Sequence, residues 1–151
     1  ERLQIELTEG VVMTNPAYAA ELLAEFQKLG ISIAIDDFGT GYSSLAYLHN
    51  FSADVLKLDL SFAREVRKGP SGARIVRGIS AMADELGLRV VAEGIENAAS
   101  WRYLTHRGAD LMQGYFLSRP MPADAMIAWV GEHDANRARW LDHASDPQPQ
   151  Q

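Results

Sequence analysis

Cysteine is absent from the 151 residues, which removes disulfides, thiolate nucleophiles and Cys-ligated zinc sites together. Basic clusters are missing as well. No block of five or more Lys or Arg occurs and the formal net charge is −6, which speaks against duplex nucleic acid as a partner. No apolar run approaches the roughly 20 residues of a membrane span, and nothing at the start reads as a signal peptide. A phosphate-cradling P-loop is also lacking, because Gly39-Thr40-Gly41-Tyr42-Ser43-Ser44 has neither the following lysine nor the spacing. The histidines, His49, His106, His133 and His143, make no HExxH pattern and are expected at helix ends or on the surface. What remains is an ordinary globular balance, 47% hydrophobic and 23% charged, in a chain long enough for one domain with a real core.

What is present is a recurring pattern of apolar runs that end in charge. The clearest is Ile33-Ala34-Ile35-Asp36-Asp37, followed at once by Phe38-Gly39-Thr40-Gly41-Tyr42-Ser43-Ser44-Leu45. It reads as a buried strand delivering two carboxylates to its C-terminal end. Neighbouring strand residues point to opposite faces, so for both acids to serve one site the chain must turn after the strand. The glycine-rich loop is expected to provide that turn.

The other segments repeat the theme. Leu3-Gln4-Ile5-Glu6-Leu7 alternates as a strand and leads to Glu9. Asn15-Pro16 opens a helix with an apolar stripe of Tyr18, Leu22, Phe26 and Leu29, ended by Gly30. Ser44 to His49 reads as a short helix, and Val55-Leu56-Lys57-Leu58-Asp59 as a strand. Ser71 is expected to cap a helix with the stripe Ile75, Ile79, Met82, Ala83 and Leu86, stopped by Gly87. Leu88 to Gly94 is the next strand and finishes on Glu93, and Asn97 caps a helix running to Gly108. Asp110 to Gly114 is a short strand, and Pro120-Met121-Pro122 leads into a helix containing Met126, Ile127 and Val130. Residues 1–134 are expected to form the domain and 135–151 a tail, disordered at its end, although Trp140 and Leu141 are candidates for docking.

About five β-then-α units at this spacing call for parallel strands. An open doubly wound sheet and part of a TIM-like (β/α) barrel both fit. The polar groups favour the barrel: Glu6, Asp36, Asp37, Lys57, Asp59, Glu93 and Gln113 all fall at C-terminal strand ends, the face where barrel enzymes gather catalytic residues. Five units cannot close eight strands, so the expected fold is an α/β barrel truncated by about three strands. The start at Glu1, in strand-like sequence, places those strands upstream.

Four carboxylates brought together repel unless a cation compensates. Oxygen ligands without cysteine point to Mg²⁺ or Mn²⁺, and adjacent Asp36 and Asp37 suit a two-ion centre for in-line displacement at phosphorus. Lys57 can hydrogen-bond the attacking water and offset transition-state charge. The competing readings are an ion pair with Asp59 and a Schiff-base nucleophile, the latter disfavoured by nearby carboxylates. Phe116 can stack on a base or fill the core beside Leu117.

Together, Glu6-Leu7-Thr8-Glu9, Asp36 through Leu45, Lys57-Leu58-Asp59, Glu93-Gly94-Ile95-Glu96 and Gln113 through Pro120 resemble the EAL domain family, bacterial phosphodiesterases that linearise cyclic di-GMP to pGpG. The resemblance runs from Glu1 to about Val130. It implies Glu6 and Asp36 as metal ligands, Asp37 as a ligand of a second ion, and Glu96 and Gln113 completing that ion's shell. Lys57 would hold the nucleophilic water, and Glu93 would be general base or water-mediated ligand. Asp59, Gly114, Phe116 and Pro120 fall at substrate-binding positions. Glu9 would brace the loop of Phe38, Gly39, Thr40, Gly41, Tyr42, Ser43 and Ser44, which links the site to a dimer interface. The family's Glu-Ala-Leu triplet and a metal-binding Asn would lie upstream of Glu1. Cyclic di-GMP as substrate, a homodimeric parent, an upstream GGDEF or sensor domain and a cytoplasmic site of action are the implied partners and setting. The alternative is an inactive cyclic di-GMP receptor, with this stretch inactive alone for want of the upstream ligands.

Overall fold

Each apolar run that ends on a charged residue becomes a strand, and the strands lie side by side in chain order. The computed structural model describes residues 3–39, 51–68, 70–106 and 108–135. Its elements are β1 (Gln4–Thr8), α1 (Glu9–Thr14), α2 (Pro16–Lys28), β2 (Ser32–Phe38), β3 (Val55–Leu58), α3 (Leu60–Lys68), α4 (Pro70–Glu85), β4 (Arg89–Ala92), α5 (Ala98–Thr105), β5 (Leu111–Met112) and α6 (Ala123–Ala135). All four strand pairs are parallel, in the order β1-β2-β3-β4-β5. A doubly wound sheet reverses direction at a switch point. Here the order never reverses, so the sheet is a stretch of barrel wall and the TIM-like reading stands.

Register sorts the side chains into two faces. Ile5, Leu7, Ile33, Ile35, Leu56, Leu58, Val90, Ala92 and Met112 share one face and join a core with Leu23, Val76, Ala83 and Leu104 from the helices. The opposite face carries Gln4, Glu6, Asp36, Val55, Lys57, Arg89, Val91 and Leu111. An all-apolar outer face under helices is what a barrel wall requires, and the polar groups on the inner face are mixed with Val55, Val91 and Leu111.

Two helix faces differ in part from the sequence expectation: Phe26 of α2 and Ile79, Met82 and Ala83 of α4 pack into the core as expected, but the rest of each stripe does not. In α2 the buried residue is Leu23, backed by Ala19, Ala20 and Phe26, while Tyr18, Leu22 and Leu29 are exposed. In α4 Val76, Ser80 and Ala83 are buried and Ile75 and Leu86 are exposed. Both helices carry two overlapping apolar stripes, and periodicity alone cannot say which one meets the sheet. In α2 the small Ala19 and Ala20 pack on the core beside Leu23, and the Tyr18–Leu22 edge of the expected stripe is left outside. Ser71 lies inside α4 rather than capping it, because Pro70 takes an early helical position. Helix α3 has no counterpart in the sequence reading. The helix caps at Asn15 and Asn97 are as expected, accepting from the Tyr18 and Ser100 N–H groups. The helix expected over Ser44–His49 and the tail from Asn136, with Trp140 and Leu141, lie outside the described residues.

A repeated clip sets the register at the base of the wall. Asp54, just before β3, accepts the Ile33 N–H at 2.8 Å and returns its own N–H to the Ile33 carbonyl. Asp110, just before β5, treats Val90 of β4 identically, at 2.7 Å. Ile33 and Val90 are fully buried, so removing the carboxylate orphans a buried donor, at a cost of about 1–3 kcal/mol. Asp54→Ala is therefore expected to lower Tm by several degrees in thermal denaturation. An unchanged Tm would contradict the clip.

Candidate active site

The inner face brings the charged strand ends to one point. Lys57, in the middle strand, has a side chain only 7% exposed. Its Nζ donates to Glu6 Oε2 of β1 at 2.8 Å and lies 3.0 Å from Asp36 Oδ1 of β2 and 2.8 Å from Glu93 Oε1 beyond β4. Three of the candidate acids thus converge on one ammonium. Asp59 is not among its partners. Asp59 Oδ1 accepts the Ser61 N–H at 2.9 Å and caps α3. Burial pushes the Asp59 carboxyl up, but the Ser61 and Leu60 hydrogen bonds and the Arg64 charge outweigh it and hold it below its usual value.

The chain does change course at the adjacent aspartates, though not by the expected device. Ile35 pairs with Leu56 and Phe38 with Leu58, so Asp36 and Asp37 together stand opposite the single residue Lys57. This is a β-bulge. It is made by Asp37 itself, whose φ of 54° is left-handed, a conformation that Asp tolerates better than most side chains. The strand then continues to Phe38, which is buried in the core. The turn expected of the glycine loop is therefore inside the strand. The Asp37 N–H donates to Asp36 Oδ1 at 3.0 Å, which fixes that carboxylate.

Burial works against charge on Lys57, but hydrogen bonds to Glu6, Glu93 and Asp36 outweigh it and raise its pKa above the ordinary 10.5. A lysine held by three carboxylates favours its protonated form and is a poor Schiff-base nucleophile, which weighs against the aldolase-like reading. Because the folded pKa is raised, its contribution to stability is complete below the unfolded value and is lost as pH rises through the folded one. The Tm gap between wild type and Lys57→Met is expected to stay level up to about pH 10 and to shrink above it. A gap that widens instead would contradict the assignment.

Two loops carry the remaining candidates and are tied together through Ile95, which is fully buried. Its N–H donates to the Gln113 carbonyl at 3.1 Å, and its carbonyl accepts from Phe116 at 2.8 Å. Glu93 and Glu96 flank Ile95 in one loop, and Gln113 and Phe116 stand in the other. Close contact requires glycine at two places. A Cβ at Gly114 would strike the Ile95 backbone, and one at Gly94, whose φ is +63°, would strike Leu60. Gln113 lines a cavity of about 360 Å³ with Glu6, Lys57 and Arg89, whereas Glu96 is exposed. Phe116 is half-buried and meets Trp101 with ring centroids 6.0 Å apart. Pro120 is exposed, just beyond Arg119, whose guanidinium covers the Tyr115 ring at 4.6 Å. The sequence reading missed Trp101, Ile95, Asp54 and Asp110. For the two aspartates the signal was available: each stands immediately before a strand.

Glu9 is buried at the start of α1, and its Oε2 accepts the Gly39 N–H at 3.0 Å. It thereby touches the first residue of the loop after β2. Thr40, Gly41, Tyr42, Ser43 and Ser44 lie outside the described residues. His106 is an exposed helix cap. Among the described residues no helix is long and apolar enough to cross a membrane.

Comparison with known proteins bears on this arrangement. The family model of the EAL domain matches residues 1–120. Cyclic di-GMP phosphodiesterase PdeR of Escherichia coli (strain K12) is 42% identical over 127 residues, covering 84% of this chain and 19% of PdeR. The structure of the PaMucR phosphodiesterase in complex with c-di-GMP superposes with a TM-score of 0.78 at 41% identity, covering 82% of this chain and 50% of that one. The Klebsiella pneumoniae BlrP1 structure, a manganese and cyclic di-GMP complex, gives 0.72 at 37% identity, covering 78% and 30%. The chain spans 16% to 19% of the length of the first curated relatives. A parallel barrel wall with its acids gathered at the C-terminal strand ends, and a family match over residues 1–120, lead to one assignment: this chain belongs to the EAL domain family.

Proposed function

We propose that the protein carrying this chain is a metal-dependent phosphodiesterase that hydrolyses cyclic di-GMP to linear pGpG in bacterial second-messenger signalling. The observation that carries the reading is the convergence of Glu6 and Asp36, from two strands, and Glu93, from the loop after a third, on Lys57. A surface ion pair does not require three carboxylates around one buried ammonium. A site that handles phosphate and cations does.

The residues fit Mg²⁺ or Mn²⁺, since every candidate donor is an oxygen and cysteine is absent. Glu6 and Asp36 would hold one ion, and Asp37, Glu96 and Gln113 the second. Bound there, the ions would supply a hydroxide nucleophile at neutral pH and charge neutralisation at phosphorus. Lys57 orients the attacking water and offsets charge on the phosphoryl oxygens, a task its raised pKa suits. Glu93, held by Lys57, takes the proton from the water. One P–O bond forms to water and the P–O3′ bond breaks, the departing 3′ oxygen taking a proton from solvent to leave as the hydroxyl. Phe116, backed by Trp101, would offer a flat face for a guanine, and Asp59, Gly114 and Pro120 are the further candidates for substrate contact. Glu9 ties the site to the loop that runs from Phe38 to Ser44, and that loop serves a homodimer interface. A cytoplasmic location and an upstream GGDEF or sensor domain complete the proposal.

The test is product analysis on the full-length protein. Cyclic di-GMP should convert to pGpG with Mg²⁺ or Mn²⁺ and remain intact with excess chelator. Tight binding without conversion under either ion would instead mark a receptor.

A further inference from the structure

Three carboxylates and one ammonium share a single point at the C-terminal edge of the sheet. The carboxylate oxygens of Glu6, Asp36 and Glu93 lie 2.8 to 3.0 Å from Lys57 Nζ. An ammonium carries three protons in a tripod, so this lysine has one for each carboxylate. Among the described residues no three acidic or histidine side chains stand together as a ready cage for an ion. Glu6, Asp36 and Glu93 are instead held around Lys57. A divalent cation draws oxygens to roughly 2.0–2.6 Å, closer than they stand to the lysine, and it repels an ammonium in the same place.

Resting on the cation site described above, we propose that Lys57 is a built-in competitor for that site. Its ammonium and an incoming divalent cation contend for the same oxygens of Glu6 and Asp36, so ion entry obliges Lys57 to release that part of its set and to keep Glu93. The lysine then has two tasks in sequence. It balances the charge of the carboxylates while they wait, and it is freed toward the water and phosphate when they close on the ion. Ion affinity is thereby held below what the carboxylates alone would give, and loading of the site becomes sensitive to the free-ion concentration.

The experiment is calorimetric titration of Mn²⁺ into the full-length protein and its Lys57→Met variant, which keeps the length of the stem and removes the charge. The variant is expected to bind Mn²⁺ at least about tenfold more tightly. Equal or weaker binding would overturn the competitor role. Asp36→Asn tests the site separately, because it should weaken Mn²⁺ binding whatever Lys57 does. Absence of binding by wild type and Lys57→Met alike would overturn the cation site, and this role with it. Should Lys57→Met not fold, Mg²⁺ titration of lysine-labelled wild type gives the same answer by magnetic resonance. The Lys57 side-chain signal must then shift in step with ion occupancy, and saturation with no movement at Lys57 would refute the proposal.

Discussion

Replacing Lys57 by Ala is expected to lower kcat for cyclic di-GMP hydrolysis by about 100- to 1,000-fold, with a much smaller change in KM. The magnitude is that of removing one preorganised donor aimed at developing charge in a desolvated site. Lys57 fits that description because its side chain is nearly buried, three carboxylates hold its position and its pKa keeps it charged. The loss should fall on kcat, since a residue that orients water contributes mainly in the transition state. Removing the lysine also leaves three carboxylates facing one another, so the folded fraction must be checked by circular dichroism at the assay temperature. If the competitor role is correct, the neutral variants will bind the ion more tightly and turn over more slowly. Few other roles for a lysine would move those two readouts in opposite directions.

Gly114→Ala is expected to be the most damaging single-methyl change in the described part of the chain, at about 3 kcal/mol. A Cβ there would meet the N, C and O atoms of Ile95, and backbone cannot swing aside as a side chain can. Ile95 is fully buried and its two hydrogen bonds hold Gln113 and Phe116. The methyl must therefore push the two loops apart, breaking those bonds and separating Glu93 and Glu96 from Gln113. For a domain of this size the cost corresponds to a fall in Tm of roughly 6–12 °C. By contrast Gly10 and Gly78 have open space around the position of a Cβ, and alanine there is expected to be near neutral or stabilising within their helices. If Gly114→Ala melted like Gly78→Ala, the two-loop clamp would be wrong.

The strands and their C-terminal charges were legible because a parallel strand buried on its helix side reads as a short apolar run with charge after it. Glu6, Asp36, Lys57 and Glu93 could be picked out on that ground alone. Their arrangement around Lys57 could not, since it depends on register between strands separated by up to fifty-one positions. The bulge at Asp37 was also hidden. The glycines after it offered an easier turn, and nothing local marks Asp37 as the left-handed residue. The faces of α2 and α4 are only partly legible: Phe26, Ile79, Met82 and Ala83 pack as their spacing predicts, but Leu23 and Val76 belong to an overlapping stripe that periodicity does not single out. Helix α3 is hard to find in the sequence because its capping Asp59 also reads as a strand-end charge. Glu96, exposed in the structure, rests on the family pattern rather than on contacts here.

The claim at the centre of this account is that the acids around Lys57 form one metal-dependent phosphodiesterase centre. The most direct measurement is kcat for pGpG formation, in saturating Mn²⁺, by the full-length protein and its Asp36→Asn variant. Asn keeps the size of Asp36 and removes its charge, so folding should be little affected while an ion loses an anionic ligand. The account predicts a fall of at least about 100-fold. Turnover by Asp36→Asn within a few-fold of wild type would contradict it.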